Sequence, residues 1–202
     1  GLDVNTLVEY DKLQEIDKFA LIKLNKLISD CTKAYDCYEF NKAYQAINTF
    51  CVVDMSNFYL DIIKDRLYTA KPDSKERKSA QTVMYLILHS LVRILAPMTC
   101  FTAEEIWSYM AHKDGENTES VMLESYPEVN PLYENEELSL KWAKLIKVKE
   151  EVAKKWEVAS ANKEIGVSQE AQVTLFAEGD EYEFLKDKEN LLTLAVNDIE
   201  NW

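Results

Sequence analysis

The sequence predicts a mainly α-helical protein, an up-and-down helix bundle followed by a small α+β appendage with short strands. Apolar residues recur at helical spacing over long runs, only four Gly and four Pro occur in 202 residues, and the helical period lapses after about residue 115. The longest run is 40–68, where Phe40, Ala43, Tyr44, Ile47, Cys51, Met55, Phe58, Tyr59, Ile62, Ile63 and Leu67 follow one another at helical spacing. With no Gly or Pro inside it, this run predicts a single helix, roughly 40 Å long at about 1.5 Å per residue, serving as the spine of the bundle.

The other elements follow in order. Residues 1–10 read as an entry segment, and a first helix over about 11–35 places Leu13, Ile16, Ala20, Leu24, Leu27, Ile28 and Cys31 on one face. After the spine, Pro72, Asp73 and Ser74 mark 69–74 as a loop. A third helix over about 75–95 turns Ala80, Val83, Met84, Ile87, Leu88, Leu91, Val92 and Leu95 inward, and Pro97 stops it. Thr102-Ala-Glu-Glu105 has the form of a capping box and predicts the start of a fourth helix carrying Ile106, Trp107 and Met110, over by Gly115. Residues 1–115 are thus expected to form the bundle domain and 116–202 an α+β junction region. In the latter, 121–123, 172–176 and 192–196 read as strands and 181–190 as a short helix. An amphipathic helix over about 137–160 presents Trp142, Leu145, Ile146, Val152, Ala153, Trp156 and Ala159.

Composition narrows the chemistry. No apolar run is long enough for a transmembrane helix, and the acidic first ten residues do not read as a signal peptide. Cys31, Cys37, Cys51 and Cys100 form no CxxC pair and read as buried reduced thiols, which suits a cytoplasmic protein. With His89 and His112 as the only histidines, no metal site is expected. His89 reads as a satisfied structural residue and His112 as a helix C-terminal cation. The four glycines stand apart, so no phosphate loop is present, and nothing assembles a nucleophile, base and oxyanion hole.

Binding is better supplied than catalysis. The net charge of −13 opposes a generic nucleic-acid binder, but the charge is uneven. Residues 64–78 carry six basic and three acidic residues, and 141–163 carry seven and three, whereas 104–137 hold ten acidic residues and only Lys113. Lys64, Arg66, Lys71, Lys75, Arg77 and Lys78 meet where one helix ends and the next begins. Such a cluster could neutralise phosphates, with Arg66 or Arg77 gripping one bidentately, although spacing alone favours a solvated charged turn. Asp61 and Asp65 read as surface ion-pair partners of Lys64 and Arg66. Lys141 and Lys144 mark a second basic stripe.

Several strings, in this order and spacing, resemble bacterial isoleucyl-tRNA synthetase. They are Asp17-Lys-Phe-Ala20, Phe58-Tyr-Leu-Asp-Ile-Ile-Lys-Asp-Arg-Leu-Tyr68, Arg77-Lys-Ser-Ala-Gln-Thr-Val83, Leu91-Val-Arg-Ile-Leu-Ala-Pro97 and Phe101-Thr-Ala-Glu-Glu-Ile-Trp107. Lys163-Glu-Ile-Gly166 and Gln172-Val-Thr-Leu175 extend the resemblance, which covers about residues 11–177. It implies the helical domain that packs on the anticodon stem-loop of isoleucine tRNA, with the start of the region after it. It also implies that isoleucine activation, with ATP and Mg2+, belongs to a parent enzyme, because the HIGH and KMSKS motifs of that family have no counterpart here. The editing domain and zinc module of that family are likewise not expected in this stretch. Given an RNA partner, Lys64, Arg66, Lys71, Lys75, Arg77 and Lys78 become candidate phosphate ligands, with Lys141 and Lys144 as a second surface. One departure concerns Ser160, which stands where the family usually has Arg. The alternative expectation is a bracing module with negligible RNA affinity of its own.

Overall fold

The computed structural model describes residues 2–163 and 173–186. The chain forms two compact units, 1–135 and 136–202. In the first, α1 (Glu15–Asp36) buries Ile16, Phe19, Ala20, Leu24, Leu27, Ile28 and Cys31 on the predicted face. It stops at Tyr38, a non-Gly residue with φ of 57°, where Glu39 N–H donates back to Ala34 O at 2.7 Å. That left-handed reversal folds the chain back on itself and sets α2 (Phe40–Thr49) against α1.

The spine runs as predicted but not as one α-helix. After α2 the chain forms a π-helix over Phe50–Tyr59, then two short turns, α3 (Leu60–Ile62) and α4 (Lys64–Tyr68). The hydrogen bond from Leu60 N–H reaches Met55 O, five residues back, and Ile63 N–H returns to the four-residue step onto Tyr59 O. The buried positions record the change. Ala43, Ile47 and Phe50 are followed by Met55, Phe58, Tyr59, Ile62 and Ile63, so one five-residue step interrupts the three-and-four pattern. Phe50, not Cys51, faces the core at the junction.

Ser74 opens α5 (Lys75–Leu95), its hydroxyl accepting from Arg77 N–H at 3.2 Å. α5 packs on α1, α4 and α6, burying Ala80, Val83, Ile87, Val92 and Ile94. Met84 and Leu88, expected inward, are exposed, because the apolar stripe of α5 is wider than the face its neighbours cover.

α6 (Cys100–Tyr109) begins before Thr102, and no side chain caps it, so the expected capping box does not form. Glu104 instead accepts from the Ser120 hydroxyl and from Val121 N–H. That anchors a 3-10 turn at Val121–Leu123, a segment predicted as a strand. Val121 alone of the three is buried, in a cluster with Val92, Ala96, Ala103 and Trp107, and a single inward side chain suits a turn better than a strand edge. Residues 116–135, expected in the junction region on sequence texture, fall in the first unit.

The second unit holds α7 (Glu136–Ala161), whose Leu138, Trp142, Leu145 and Val152 are buried, and α8 (Asp180–Leu185). No strand occurs among the described residues, so the expected α+β character is not found there. Residues 173–178 are irregular, and the strand expected at 192–196 lies outside the described residues, as do Gln172 and 187–190.

Candidate nucleic-acid interface

The end of the bundle formed by α4, the loop 69–74 and the first turn of α5 gathers six of the candidate cations. Its shape is set locally. Thr69 N–H donates to Asp65 O at 2.8 Å, Ser74 N–H to Lys71 O at 3.0 Å, and the Arg77 guanidinium to Ala70 O at 3.1 Å. Lys64, Lys71, Lys75 and Lys78 are exposed, while Arg66 and Arg77 are half-buried. Lys78 lies 3.4 Å from Asp73, itself 95% exposed, a pair that water screens heavily. Lys64 pairs with Asp61, which is buried and not the surface carboxylate the sequence suggested. Lys71 and Lys75 have no carboxylate partner among the described residues.

Arg66 differs from the others. Its guanidinium donates twice to Asp17, at 3.0 Å and 2.9 Å, and Asp17 is wholly buried. The same carboxylate accepts from the Tyr59 hydroxyl at 2.8 Å and from the Ser79 hydroxyl. Ser79 Oγ in turn accepts from Gln14 N–H at 3.0 Å. Burial, then the Asp17 charge, raises the Tyr59 hydroxyl far above the usual tyrosine range, so it stays protonated and donates. Asp17, Tyr59 and Ser79 were not among the sequence candidates. The available signal was an acidic residue inside the apolar stripe of α1, between Ile16 and Ala20.

The other end of α5 carries a second polar network. Arg93 donates to His89 O at 2.9 Å, to Ser125 O at 3.1 Å and to His89 Nδ1 at 3.0 Å. Nδ1 therefore accepts, which leaves the His89 proton on Nε2, 3.1 Å from Glu116 Oε1. His112 donates from Nε2 to Trp107 O at 3.0 Å, serving the C-terminus of α6, and faces Glu116 at 3.7 Å through Nδ1. His89 is buried, with Nδ1 accepting from Arg93 and Nε2 near Glu116 without a hydrogen bond, so it is not the fully satisfied residue the sequence suggested.

In the second unit, Lys141 is half-buried and Lys144 exposed on α7, with the Lys144 ammonium 5.1 Å from the Phe184 ring centre. Trp142 is buried and Trp156 half-buried, so Trp142 is no stacking platform. All four cysteines are free. Cys31 is buried, with its thiol pushed up to about 11 by burial, but Cys37 is exposed, against expectation. No group of acidic, His or Cys side chains among the described residues could hold a metal ion.

The comparisons agree with the helical architecture. The family model for the anticodon-binding domain of tRNA ligase matches residues 17–175. The chain is 47% identical over 180 residues to isoleucine–tRNA ligase of Thermoanaerobacter sp. strain X514, covering 89% of this chain and 19% of that protein. It is 51% identical over 183 residues to the enzyme of that name from Desulforamulus reducens, covering 91% and 20%. The corresponding figures for Caldicellulosiruptor saccharolyticus are 47% over 193 residues, 94% and 21%. The chain thus spans about a fifth of the length of these curated relatives. With the helical bundle in place and this match over most of its length, the chain belongs to the family of anticodon-binding domains of tRNA ligases.

Proposed function

We propose that this chain is the anticodon-arm-binding part of an isoleucine–tRNA ligase, and that its basic bundle end grips the RNA backbone. The observation that carries this is the family match over 17–175, joined to relatives that are isoleucine–tRNA ligases. The exposed cations of α4, the 69–74 loop and α5 support the choice of face, since Lys64, Lys71, Lys75 and Lys78 project from one end. The N-terminus of α5, with its positive dipole end, lies at the same place. Arg77 acts mainly by shaping the loop through Ala70 O while adding its charge. Lys141 and Lys144 on α7 form a secondary contact surface. Isoleucine activation with ATP and Mg2+ belongs to other parts of the whole protein, which works in the cytoplasm. The bundle and the region after it act as separate modules, with the division just before α7.

The test is binding of the chain to isoleucine tRNA and to a non-cognate tRNA across a salt series. Phosphate-driven binding weakens steeply between about 50 and 200 mM salt. Lys75→Ala with Lys78→Ala should reduce the salt slope by about 1 to 2, the loss of two phosphate contacts. A double variant with unchanged slope would move the interface elsewhere. Absence of binding even at low salt would leave a bracing module, the reading that the net charge of −13 favours.

A further inference from the structure

Sequence spacing places Arg66 among the phosphate-binding cations, but the fold turns it inward. Its two parallel hydrogen bonds to Asp17, at 2.9 Å and 3.0 Å, take up the Nη1–Nη2 edge of the guanidinium, one of the edges with which it could grip a phosphate. Its side chain is only 18% exposed, and Asp17 is fully enclosed. The pair is the centre of a joint between elements. Asp17 lies on α1, Tyr59 at the end of the π-helix, Arg66 on α4 and Ser79 on α5, one turn from Lys75 and beside Lys78. Gln14, just before α1, is drawn in through Ser79. A single carboxylate thereby fixes α4 and the start of α5 to the same point, and the loop that bears Lys71 spans between them.

We infer that Asp17 and Arg66 are positioning residues for RNA recognition, holding α4 and α5 so that Lys71, Lys75 and Lys78 present as one set, while Arg66 itself contacts no phosphate. This rests on the proposed basic-end interface and specifies how that interface is built. It also reverses the sign of an obvious expectation. If Arg66 were a phosphate ligand, Asp17→Asn would free a guanidinium, remove a negative charge and tighten RNA binding. As a positioning pair, Asp17→Asn weakens binding although the chain becomes less acidic.

The experiment measures binding of an unmodified isoleucine tRNA transcript to the chain and its variants over a salt series, with folding checked by circular dichroism. Folded Asp17→Asn is expected to bind about tenfold more weakly, with the salt slope of the parent chain. Arg66→Lys should not rescue binding, because an ammonium cannot make the two parallel bonds. At a phosphate contact, by contrast, lysine would keep most of the affinity. Ser79→Ala, which leaves the charge pair intact, should weaken binding about threefold and decides the matter if Asp17→Asn fails to fold. Tighter binding by Asp17→Asn, parent-like binding by Ser79→Ala, or a lower slope in Arg66→Lys would each overturn the inference. The Lys75→Ala, Lys78→Ala double variant separates the two levels. If it loses slope while Asp17→Asn and Ser79→Ala bind normally, the interface stands and the positioning role falls. If the parent chain binds no RNA, the interface falls and takes the positioning role with it.

Discussion

The two ends of α5 carry buried polar networks of similar size and different construction. At the N-terminal end one carboxylate, Asp17, collects a tyrosine, a serine and both arms of an arginine, and no imidazole takes part. At the C-terminal end Glu116 remains 15% exposed and faces two histidines, with Arg93 set against one of them. The first is a joint closed on one buried carboxylate. The second contains an imidazole, His89, that burial and the Arg93 charge hold below the usual histidine range. One helix thus has a set of partners without an imidazole near its basic end and an imidazole-bearing set near its acidic neighbours.

The largest effect should come from breaking the first network. Asp17→Ala leaves the Arg66 charge half-buried without its partner and should cost about 3–5 kcal/mol, read from the urea midpoint. The corresponding Glu116→Gln change should cost about 1–2 kcal/mol, because water reaches that carboxylate and Lys113 N–H, now 2.9 Å from it, can keep an oxygen acceptor. Equal losses would erase the contrast. A cap test sharpens it further. Ser74→Ala should cost about 1 kcal/mol through the lost acceptor for Arg77 N–H, as measured by thermal unfolding.

The pH response is smaller and follows from His89. Burial chiefly, then the Arg93 charge, holds its imidazole below the usual histidine range; Glu116 pulls upward, Lys113 downward and Glu124 upward more weakly. Unfolded, the ring titrates near about 6.5, so below that value the unfolded chain binds more protons than the folded one. The stability that His89 contributes is present above about pH 6.5 and is lost as the pH falls towards the folded value. Urea midpoints at pH 7.5 and 5.5 should diverge more in the parent chain than in His89→Gln. The smallest expected change is Thr102→Ala, within about 0.5 kcal/mol, since Thr102 lies inside α6 and caps nothing.

How much of this was legible depends on how local the cause is. The span of α5 was readable because Ser74 and Pro97 sit at its two borders, and local chemistry decides a helix boundary. Thr102 and Glu105 had the right spacing for a cap, but Thr99 and Cys100 continued the helix backwards, and Glu104 found Ser120 through tertiary packing. Val121, Met122 and Leu123 looked like a strand because three residues are too few to reveal a period. The Asp17 joint was hidden for a different reason. Its partners lie 42, 49 and 62 residues away, and no window along the chain holds them together. For the same reason Arg66 looked no different from Lys64 or Lys75 until α4 and α1 were seen side by side.

The wide turn in the spine has a consequence for chain length. Phe50 and Met55 both face inward although they lie five positions apart, one more than an α-turn provides. Deleting a single residue between them would shorten the step to four, turn the π-helix into ordinary α-helix and leave both flanking faces in phase. A similar deletion within α1 would rotate every later side chain by about 100° and pull Asp17 away from the core residues that follow it. The spine therefore contains a splice point, where sequences of unequal length can share one bundle without re-facing its interior.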